Sequence, residues 1–112
     1  MPFLNTSDIK PKEPLPGWAG RFFNSTQMTF GYYDTVAGLV LHEHSHPNEE
    51  VWHVIDGELE VMISGETKVV GPGCVAMVPP DALHSVRVIT SGRVIVADHP
   101  VRESIGGATT SD

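Results

Sequence analysis

Three histidines and one glutamate give this chain the side chains of a metal site. Imidazole and carboxylate groups are ligands that borderline divalent transition metals accept. Residues i and i+2 of a β-strand point to the same face, so His44 and His46 can bind one ion side by side. Glu50 follows at even spacing after the turn-forming pair Pro47-Asn48, and His84 stands alone further along the chain. These residues predict a metal site inside a β-rich domain.

Composition and charge restrict the class of protein. The chain has 112 residues, enough for one domain, with 40% hydrophobic and 19% charged residues, as expected of a soluble globular protein. The net charge is −7 and the basic residues are scattered, which argues against nucleic acid as a partner. No signal-peptide pattern and no bilayer-spanning apolar run are present, so we expect a cytoplasmic protein without a membrane partner. Cys74 is the single cysteine, which excludes an internal disulfide.

The chain divides into three segments by composition. Residues 1–20 are rich in proline and are expected to form an arm rather than a helix or a central strand. This arm is predicted to lie along the body or along a partner subunit, with Phe3 and Trp18 as anchors. The body covers residues 21–103 and is predicted to be one barrel. The tail, residues 104–112, has the small polar composition of a disordered segment.

Within the body, short runs of β-favouring residues alternate with turn signals. The predicted strands are Thr26–Tyr33, Val36–His44, Val51–Ile55, Glu58–Ile63, Lys68–Val70, Val75–Val78, Leu83–Ile89 and Arg93–Ala97. Turns are predicted at Asp56-Gly57, a two-residue hairpin signal, at Ser64-Gly65-Glu66, at Gly71-Pro72-Gly73 and at Ser91-Gly92. No run predicts a helix of three turns. The pattern favours an all-β sandwich or closed barrel.

Two clusters of these residues resemble the paired signatures of the cupin family. The first has the order and spacing of Gly38, His44, His46, Glu50 and Gly57, with every fixed position filled. The second consists of Gly73, Pro79, Asp81 and His84. It departs from the family pattern twice, with Asp81 where glycine is usual and Val88 where asparagine is usual. Aspartate tolerates turn conformations, so the first change is mild, whereas the second makes that wall of the site more apolar.

The resemblance implies a fold and a cofactor. The fold would be a small antiparallel barrel, the double-stranded β-helix (a cupin or jelly-roll barrel). The metal ligands would be His44, His46, Glu50 and His84, holding one divalent transition metal: iron, manganese, nickel, zinc or copper. Residue types alone do not choose among these metals. The four ligands would leave one or two open positions for a small-molecule substrate, as in catalytic sites.

Catalytic roles are predicted for two side chains beside the metal. Glu50 is a ligand that would act as a base if it swings free. His42 shares the parity of His44 and would serve as a proton shuttle if it faces the interior, the alternative being an exposed histidine at a strand end. His53 has the opposite parity to Glu50 and is expected on the outside.

The wall of the substrate pocket is predicted from the same parity. Trp52 should face the interior with Glu50, and Val86 and Val88 should line the cavity with His84. These residues would make an apolar pocket around a polar metal centre. Arg102 is a candidate carboxylate clamp.

Function remains divided among three classes. The first is a dioxygenase-type oxidoreductase acting on an enolisable or oxygen-rich substrate. The second is a redox-neutral isomerase, lyase or cyclase with the metal as Lewis acid. The third is a non-enzymatic binding or sensory module. The small cupins that convert unsaturated uronates are similar in layout, but of their pocket residues only Arg102 carries over. Val96 and Asp98 stand where those cupins have an aspartate and an aromatic residue. Glu50 stands where they have glutamine. The resemblance also favours a homodimer.

Overall fold

The chain forms an antiparallel β-structure, seen in a computed structural model that describes residues 2–103. This confirms the predicted all-β class. A single 3₁₀ turn, Thr6–Asp8, precedes the strands. In chain order the strands are β1 Lys12–Leu15, β2 Trp18–Asn24, β3 Thr29–Thr35, β4 Val40–His44, β5 Glu49–Ile63, β6 Glu66–Val70, β7 Val75–Val78 and β8 His84–His99. None of the described residues belongs to a helix long and apolar enough to cross a membrane.

Strands β5 and β8 run through the whole molecule and join its two layers. They pair antiparallel from Glu49 opposite His99 to Ile63 opposite His84. The first half of β5 and the second half of β8 lie with β3 and β7, and the other halves lie with β4 and β6. Strands β2 and β1 continue the first layer beyond β3, in the order β1-β2-β3-β8-β5.

The hairpin predicted at Asp56-Gly57 and the turn predicted at Ser91-Gly92 are both wrong, because each dipeptide lies inside one long strand. The register of β5 against β8 shifts between Val54 and Leu59, which bends the pair without reversing it. Gly57 has φ +80°, and a Cβ there would lie 2.5 Å from the carbonyl oxygen of Thr90. The Asp-Gly pair therefore supplies the left-handed residue of a bulge, a use that local sequence does not distinguish from a hairpin turn.

The turn at Ser64-Gly65 is confirmed. Both residues have positive φ, +48° and +84°, as a tight two-residue hairpin requires, and they join β5 to β6. Strand β7 occupies the predicted residues, Val75–Val78. It pairs with the first half of β5, which places Val78 opposite Glu50.

The apolar core fills the interior of the barrel, and the side chains that alternate along β5 and β8 supply most of it. Val54, Leu59 and Val61 of β5 pack there with Val86 and Val88 of β8. Because residues at even spacing share a face, the same strands that carry this core also direct polar side chains inward at one end of the barrel.

The N-terminal segment joins the sheet earlier than composition indicates. The boundary predicted between residues 20 and 21 falls inside β2, and Trp18 is a buried member of the core. Strand β1 is an edge strand paired with β2 alone among the described strands, a position that tolerates proline. Phe3, the other predicted anchor, is 83% exposed. The tail predicted for residues 104–112 lies outside the described residues.

Candidate metal centre

Three histidines converge at one end of the barrel. His44 ends β4, His84 begins β8 directly opposite it, and His46 follows in the loop after β4. Their ring centroids lie 4.1 Å apart for His44 and His84, 4.9 Å for His46 and His84, and 5.7 Å for His44 and His46. One nitrogen from each ring lies within 4.8 Å of the others, so the three can bind one ion.

Main-chain carbonyl groups fix the orientation of all three rings. Nδ1 of His44 donates to the carbonyl oxygen of His42 at 2.7 Å, Nδ1 of His46 to that of Asn48 at 3.1 Å, and Nδ1 of His84 to that of Ala82 at 2.9 Å. A carbonyl oxygen only accepts, so each Nδ1 carries the hydrogen and each neutral ring turns the lone pair of Nε2 inward.

The inward-facing nitrogens fit a metal ion. Nε2 of His46 and Nε2 of His84 are buried and have no hydrogen-bond partner among the described residues. Buried polar atoms are normally satisfied, and an unpaired one requires an explanation. A ring held by its other nitrogen, with its Nε2 buried and unpaired beside two similar rings, is the arrangement of a metal-ligating histidine.

Glu50 completes the cluster from β5. Its side chain is buried, and its two oxygens lie 3.5 Å from Nε2 of His46 and 3.3 Å from Nε2 of His84. Oε1 also accepts a hydrogen bond from Nε1 of Trp52 at 2.6 Å, and Oε2 accepts one from Arg102 at 3.2 Å. The carboxylate is thus held in place by neighbours on both oxygens.

These contacts keep Glu50 ionised. Burial alone would raise the pKa of Glu50, but the adjacent side chains of His46, His84, Asp98 and Trp52 lower it below its ordinary value. Burial lowers the pKa of His44. Burial also acts to lower the pKa of His84, but the adjacent Glu50 carboxylate outweighs burial and raises that pKa.

Asp98, a polar residue of the sequence that was not among the four predicted ligands, is also a member of the site. It lies opposite Glu50 in the register of β5 and β8, is buried, and has one carboxyl oxygen without a hydrogen-bond partner in the described part of the chain. A ring nitrogen of His46 and one carboxyl oxygen each of Glu50 and Asp98 lie within 4.8 Å of one another. Burial and the adjacent Glu50 raise the pKa of Asp98 to about 9, so its carboxyl group is protonated at neutral pH. Asp98 is spaced by two and four residues from the core residues Val96 and Val94, and this even spacing in the sequence indicates that its side chain faces the interior.

The cluster opens into a cavity of about 630 Å³. Pro14, Leu15 and Pro16 of the N-terminal segment form one wall, so this segment shapes the site. The rings of Trp18, Tyr33 and Trp52 form another wall. Tyr33 and Trp52 stack in parallel with centroids 6.4 Å apart, and Trp18 meets both edge-on. The volume lies within the range of small-molecule sites.

The predicted pocket residues divide into two groups. Trp52 and Arg102 line the cavity. Val86 and Val88 face inward with His84, as parity predicts, but the structure places both in the apolar core and not in the cavity wall, because the neighbouring core side chains fill the space around them.

His42 lines the cavity with an exposed side chain. Its position follows from a bulge in β4. Leu41 pairs with Val86 of β8 and His44 pairs with His84, so three residue steps on β4 match two on β8. The extra residue turns both Leu41 and His44 inward and moves His42 to the rim, so parity with His44 does not place its side chain. His53 and His99 are exposed on the outside.

The second signature sits beside the triad. Asp81, which replaces the usual glycine, has φ +65°, the left-handed conformation that glycine would supply. Its backbone N–H donates to the carbonyl oxygen of His46 at 2.8 Å, which ties this turn to the loop carrying a ligand.

A family comparison agrees with this geometry. The Cupin domain family matches residues 35–99, more than half of the chain. The chain is a cupin. The double-stranded β-helix expected from the two signatures is confirmed, since solved cupin structures match this cupin in fold. No curated protein is significantly similar to it.

Solved structures match nearly the whole chain. An RmlC-like cupin from Shewanella frigidimarina NCIMB 400 is 23% identical, with a TM-score of 0.85 over 92% of this chain and 94% of that one. KdgF from Halomonas sp. is 20% identical, with a TM-score of 0.84 over 92% and 96% of the two chains. An oxalate decarboxylase variant from Bacillus subtilis is 18% identical, with a TM-score of 0.75 over 87% of this chain and 29% of that one. At these identities the likeness shows the fold.

Proposed function

We propose that this cupin is a metal-dependent enzyme that acts on a small, anionic, enolisable substrate by redox-neutral proton transfer, as an isomerase, lyase or cyclase does. One observation carries the proposal. One cavity at the end of the barrel is lined by His44, by the Glu50–Arg102 pair and by His42 and Tyr33, and the other two histidines of the triad lie beside Glu50.

The ligands of the proposed metal are His44, His46 and His84 through Nε2, with Glu50 as the carboxylate. The ion is one divalent transition metal: iron, manganese, nickel, zinc or copper. When bound, it would supply Lewis acidity that polarises a carbonyl oxygen of the substrate.

The charges of the site favour an anionic substrate. Arg102 compensates the charge of the Glu50 carboxylate, with Nη1 of the guanidinium group 3.2 Å from Oε2. With neutral imidazoles, the charge of a divalent ion is left uncompensated by the protein. Carboxylate or enolate oxygens of a substrate would supply the missing negative charge.

Proton transfer is assigned to His42 rather than to Glu50, and hydrogen-bond donation is assigned to Tyr33. The hydrogen bonds from Trp52 and Arg102 hold Glu50 in place, and its lowered pKa makes it a weak base. Histidine is the side chain that most often serves as a general base, and His42 lines the cavity, so His42 is the proposed base. Burial beside Glu50 and Asp98 raises the pKa of Tyr33, which keeps its hydroxyl group protonated as a hydrogen-bond donor to a substrate oxygen.

Dioxygenase chemistry is the second candidate, supported by the apolar part of the cavity wall. Leu15, Val40, Leu41 and Val96 line the cavity together with the three aromatic rings. Apolar surroundings suit a site that binds an enolate with dioxygen and excludes water. Oxygen consumption separates this candidate from the redox-neutral one.

Metal content is the first test. We expect about one metal per chain in protein purified without a histidine tag, and none in the double variant His44→Ala, His46→Ala. The matched control is His53→Ala, His99→Ala, which removes two outward histidines and should keep the metal. Metal absent from the wild type after reconstitution with each candidate ion, or equal loss in both double variants, would refute the site.

Turnover is the second test. Uronic acids, 2-oxo acids and 1,3-diketones are incubated with the metal-loaded protein in D₂O, and exchange of the acidic C–H is followed by proton NMR with an oxygen electrode in parallel. We expect exchange without oxygen uptake, reduced at least tenfold in His42→Ala and in Tyr33→Phe. Oxygen uptake would favour the dioxygenase, and tight binding without exchange or uptake would leave a binding module.

A further inference from the structure

The cavity beside the candidate metal centre changes from polar to apolar along the two long strands that form it. On β5, Glu50 is followed two residues later by Trp52, and their partners in register on β8 are Asp98 and Val96. Residues at even spacing share a face, so Trp52 and Val96 continue inward the surface that begins with the two carboxyl groups. Both line the cavity. The wall is therefore polar beside the histidine triad and apolar one step further along the strands.

The N-terminal segment supplies a second apolar part of the wall. Its residues 14–16, with the sequence Pro-Leu-Pro, line the cavity, and the side chain of Leu15 is 47% exposed. The two prolines restrict the backbone on either side of Leu15. The backbone N–H of Gly17 donates to Oε2 of Glu13 at 3.0 Å, which closes the turn that follows. The position of Leu15 at the cavity is therefore defined by its local structure.

Strand β4 adds a third apolar part from the other layer. Val40, which is 43% exposed, and Leu41 both line the cavity. The carbonyl oxygen of Val40 accepts a hydrogen bond from Nε1 of Trp18 at 3.3 Å, which ties β4 to the N-terminal segment. Leu15 and Val40 are thus exposed aliphatic side chains of one cavity, although they come from different layers.

The aromatic residues of the wall offer apolar surface because their N–H groups are already used. Nε1 of Trp52 donates to Oε1 of Glu50 at 2.6 Å, and Nε1 of Trp18 donates to the carbonyl oxygen of Val40. A ligand hydroxyl group placed against these rings would lose water without gaining either indole as a partner, and such burial is unfavourable. An apolar group in the same place would be stabilised by its removal from water.

We propose that the substrate joins its anionic, enolisable head to an apolar body the size of a phenyl ring or larger. The proposal rests on the function proposed above for the head, which would bind at the metal centre, and it assigns the body to the apolar wall. The cavity of about 630 Å³ has room for both parts. A polyhydroxylated body, such as the ring of a uronic acid, would be disfavoured on the same wall.

Binding of three unreactive carboxylates tests the proposal. The full chain, loaded with the redox-inactive ion Zn²⁺, is titrated calorimetrically with propanoate, with 3-phenylpropanoate and with the methyl glycoside of glucuronate. We expect the dissociation constant of 3-phenylpropanoate to be at least tenfold below the other two, because its ring would be buried against apolar surface. Equal constants, or tighter binding of the glucuronoside, would overturn the proposal.

A variant of the N-terminal wall tests where the body binds. Leu15→Asn should reduce the preference for 3-phenylpropanoate over propanoate at least threefold, and Leu15→Ile should keep most of it. The matched control is Leu4→Asn, which changes the same residue type, 41% exposed, in the same segment but outside the cavity wall. Circular dichroism checks that the variants fold. An equal preference in Leu15→Asn and Leu4→Asn would remove Leu15 from the proposed site.

A turnover experiment separates this proposal from the function on which it rests. Protein loaded with each candidate ion is incubated in D₂O with 2-oxobutanoate or with 2-oxo-4-phenylbutanoate, whose exchanging C–H groups are of the same type. We expect kcat/KM for exchange, followed by proton NMR, to be at least tenfold higher for the phenyl compound. Selective binding without exchange would refute the proton-transfer function and keep the apolar site. Exchange of both compounds with equal kcat/KM would do the reverse.

Discussion

At the scale of single residues, the side chains of the candidate metal centre are held in place by hydrogen bonds to neighbouring groups of the protein. Each histidine is oriented by a main-chain carbonyl, and Glu50 by an indole and a guanidinium group. Partners of this kind fix the ligand geometry before an ion arrives, and their removal lowers metal affinity even when all ligands remain.

Trp52→Phe tests this directly. The substitution keeps an aromatic ring but removes the 2.6 Å hydrogen bond to Glu50, and we expect metal affinity to fall by roughly 10- to 100-fold. Trp18→Phe is the control, because Nε1 of Trp18 donates to the carbonyl oxygen of Val40 and does not touch a ligand. Competition with a fluorescent chelator measures both. Equal losses in the two variants would mean that ring packing, not the hydrogen bond, matters.

Asp98 predicts a pH dependence of stability in the metal-free protein. Its pKa is about 9 in the folded chain against a reference value of 3.8, so between these values the folded state holds a proton that the unfolded state has lost. Stability from this group therefore falls as pH rises from about 4 to about 9.

The variant Asp98→Asn isolates that contribution, since His44 and His84 are common to both proteins. We expect the difference in unfolding free energy, wild type minus Asp98→Asn, to decrease as pH rises from about 4 to about 9 and to be constant above pH 9. Urea unfolding with a chelator present, repeated at several pH values, measures the difference. A difference independent of pH would contradict the raised pKa.

At the scale of elements, the shared strands β5 and β8 determine where the site residues lie. The bend at Gly57 allows one strand to serve both layers, so Glu50 and Leu59 belong to the same element but to different parts of the interior. Gly57 is needed there for its positive φ and for its missing side chain.

Gly57→Ala and Gly65→Ala separate these two requirements, because both residues have φ near +80° but only Gly57 is crowded. We expect Gly65→Ala to cost about 1 kcal/mol of unfolding free energy from backbone strain. Gly57→Ala should cost about 1–3 kcal/mol more, since its Cβ would overlap the backbone of Thr90 and Ser91. Denaturant unfolding measures both, and equal costs would show that the close approach is unimportant.

Sequence predicted the elements better than their connections. A continuous apolar run located β7, and alternation of apolar residues located the second half of β5, because both patterns are local properties of the sequence. The dipeptides Asp56-Gly57 and Ser91-Gly92 misled, since a glycine that permits a turn also permits a bulge or a close strand crossing. Whether such a glycine forms a turn that reverses the chain depends on which strand it pairs with, and that strand is distant in the sequence.

The site was predictable where a spacing rule applied and hidden where one failed. The triad and Glu50 follow from two short motifs, whereas Asp98 joins them only through the register of β5 against β8. Parity left the position of His42 open, because one extra residue in β4 breaks the two-residue period.

At the scale of the whole molecule, the proposed metal binding would be linked to folding. The ligands come from β4, the loop after it, β5 and β8, and they meet only in the folded chain. An ion that binds the folded state alone stabilises it, by about 2.7 kcal/mol at a free concentration 100 times its dissociation constant.

The melting temperature of the metal-free protein should therefore rise on adding the native metal. For a domain of this size about 2.7 kcal/mol corresponds to roughly 10–20 °C. The double variant His44→Ala, His46→Ala should show no such shift. Calorimetry with and without the metal provides the measurement, and an equal shift in both proteins would indicate binding elsewhere.

The hydrogen bonds from the three histidines to main-chain carbonyl groups affect how this protein can evolve. Because the acceptors are the carbonyl groups of residues 42, 48 and 82, substitution of those side chains leaves each acceptor in place. His42 lines the cavity, so at least one such position also faces the space proposed for a substrate. A lineage can therefore exchange a residue of the cavity wall without rebuilding the support of the histidine triad, and a sequence alignment would not reveal that the support had been kept.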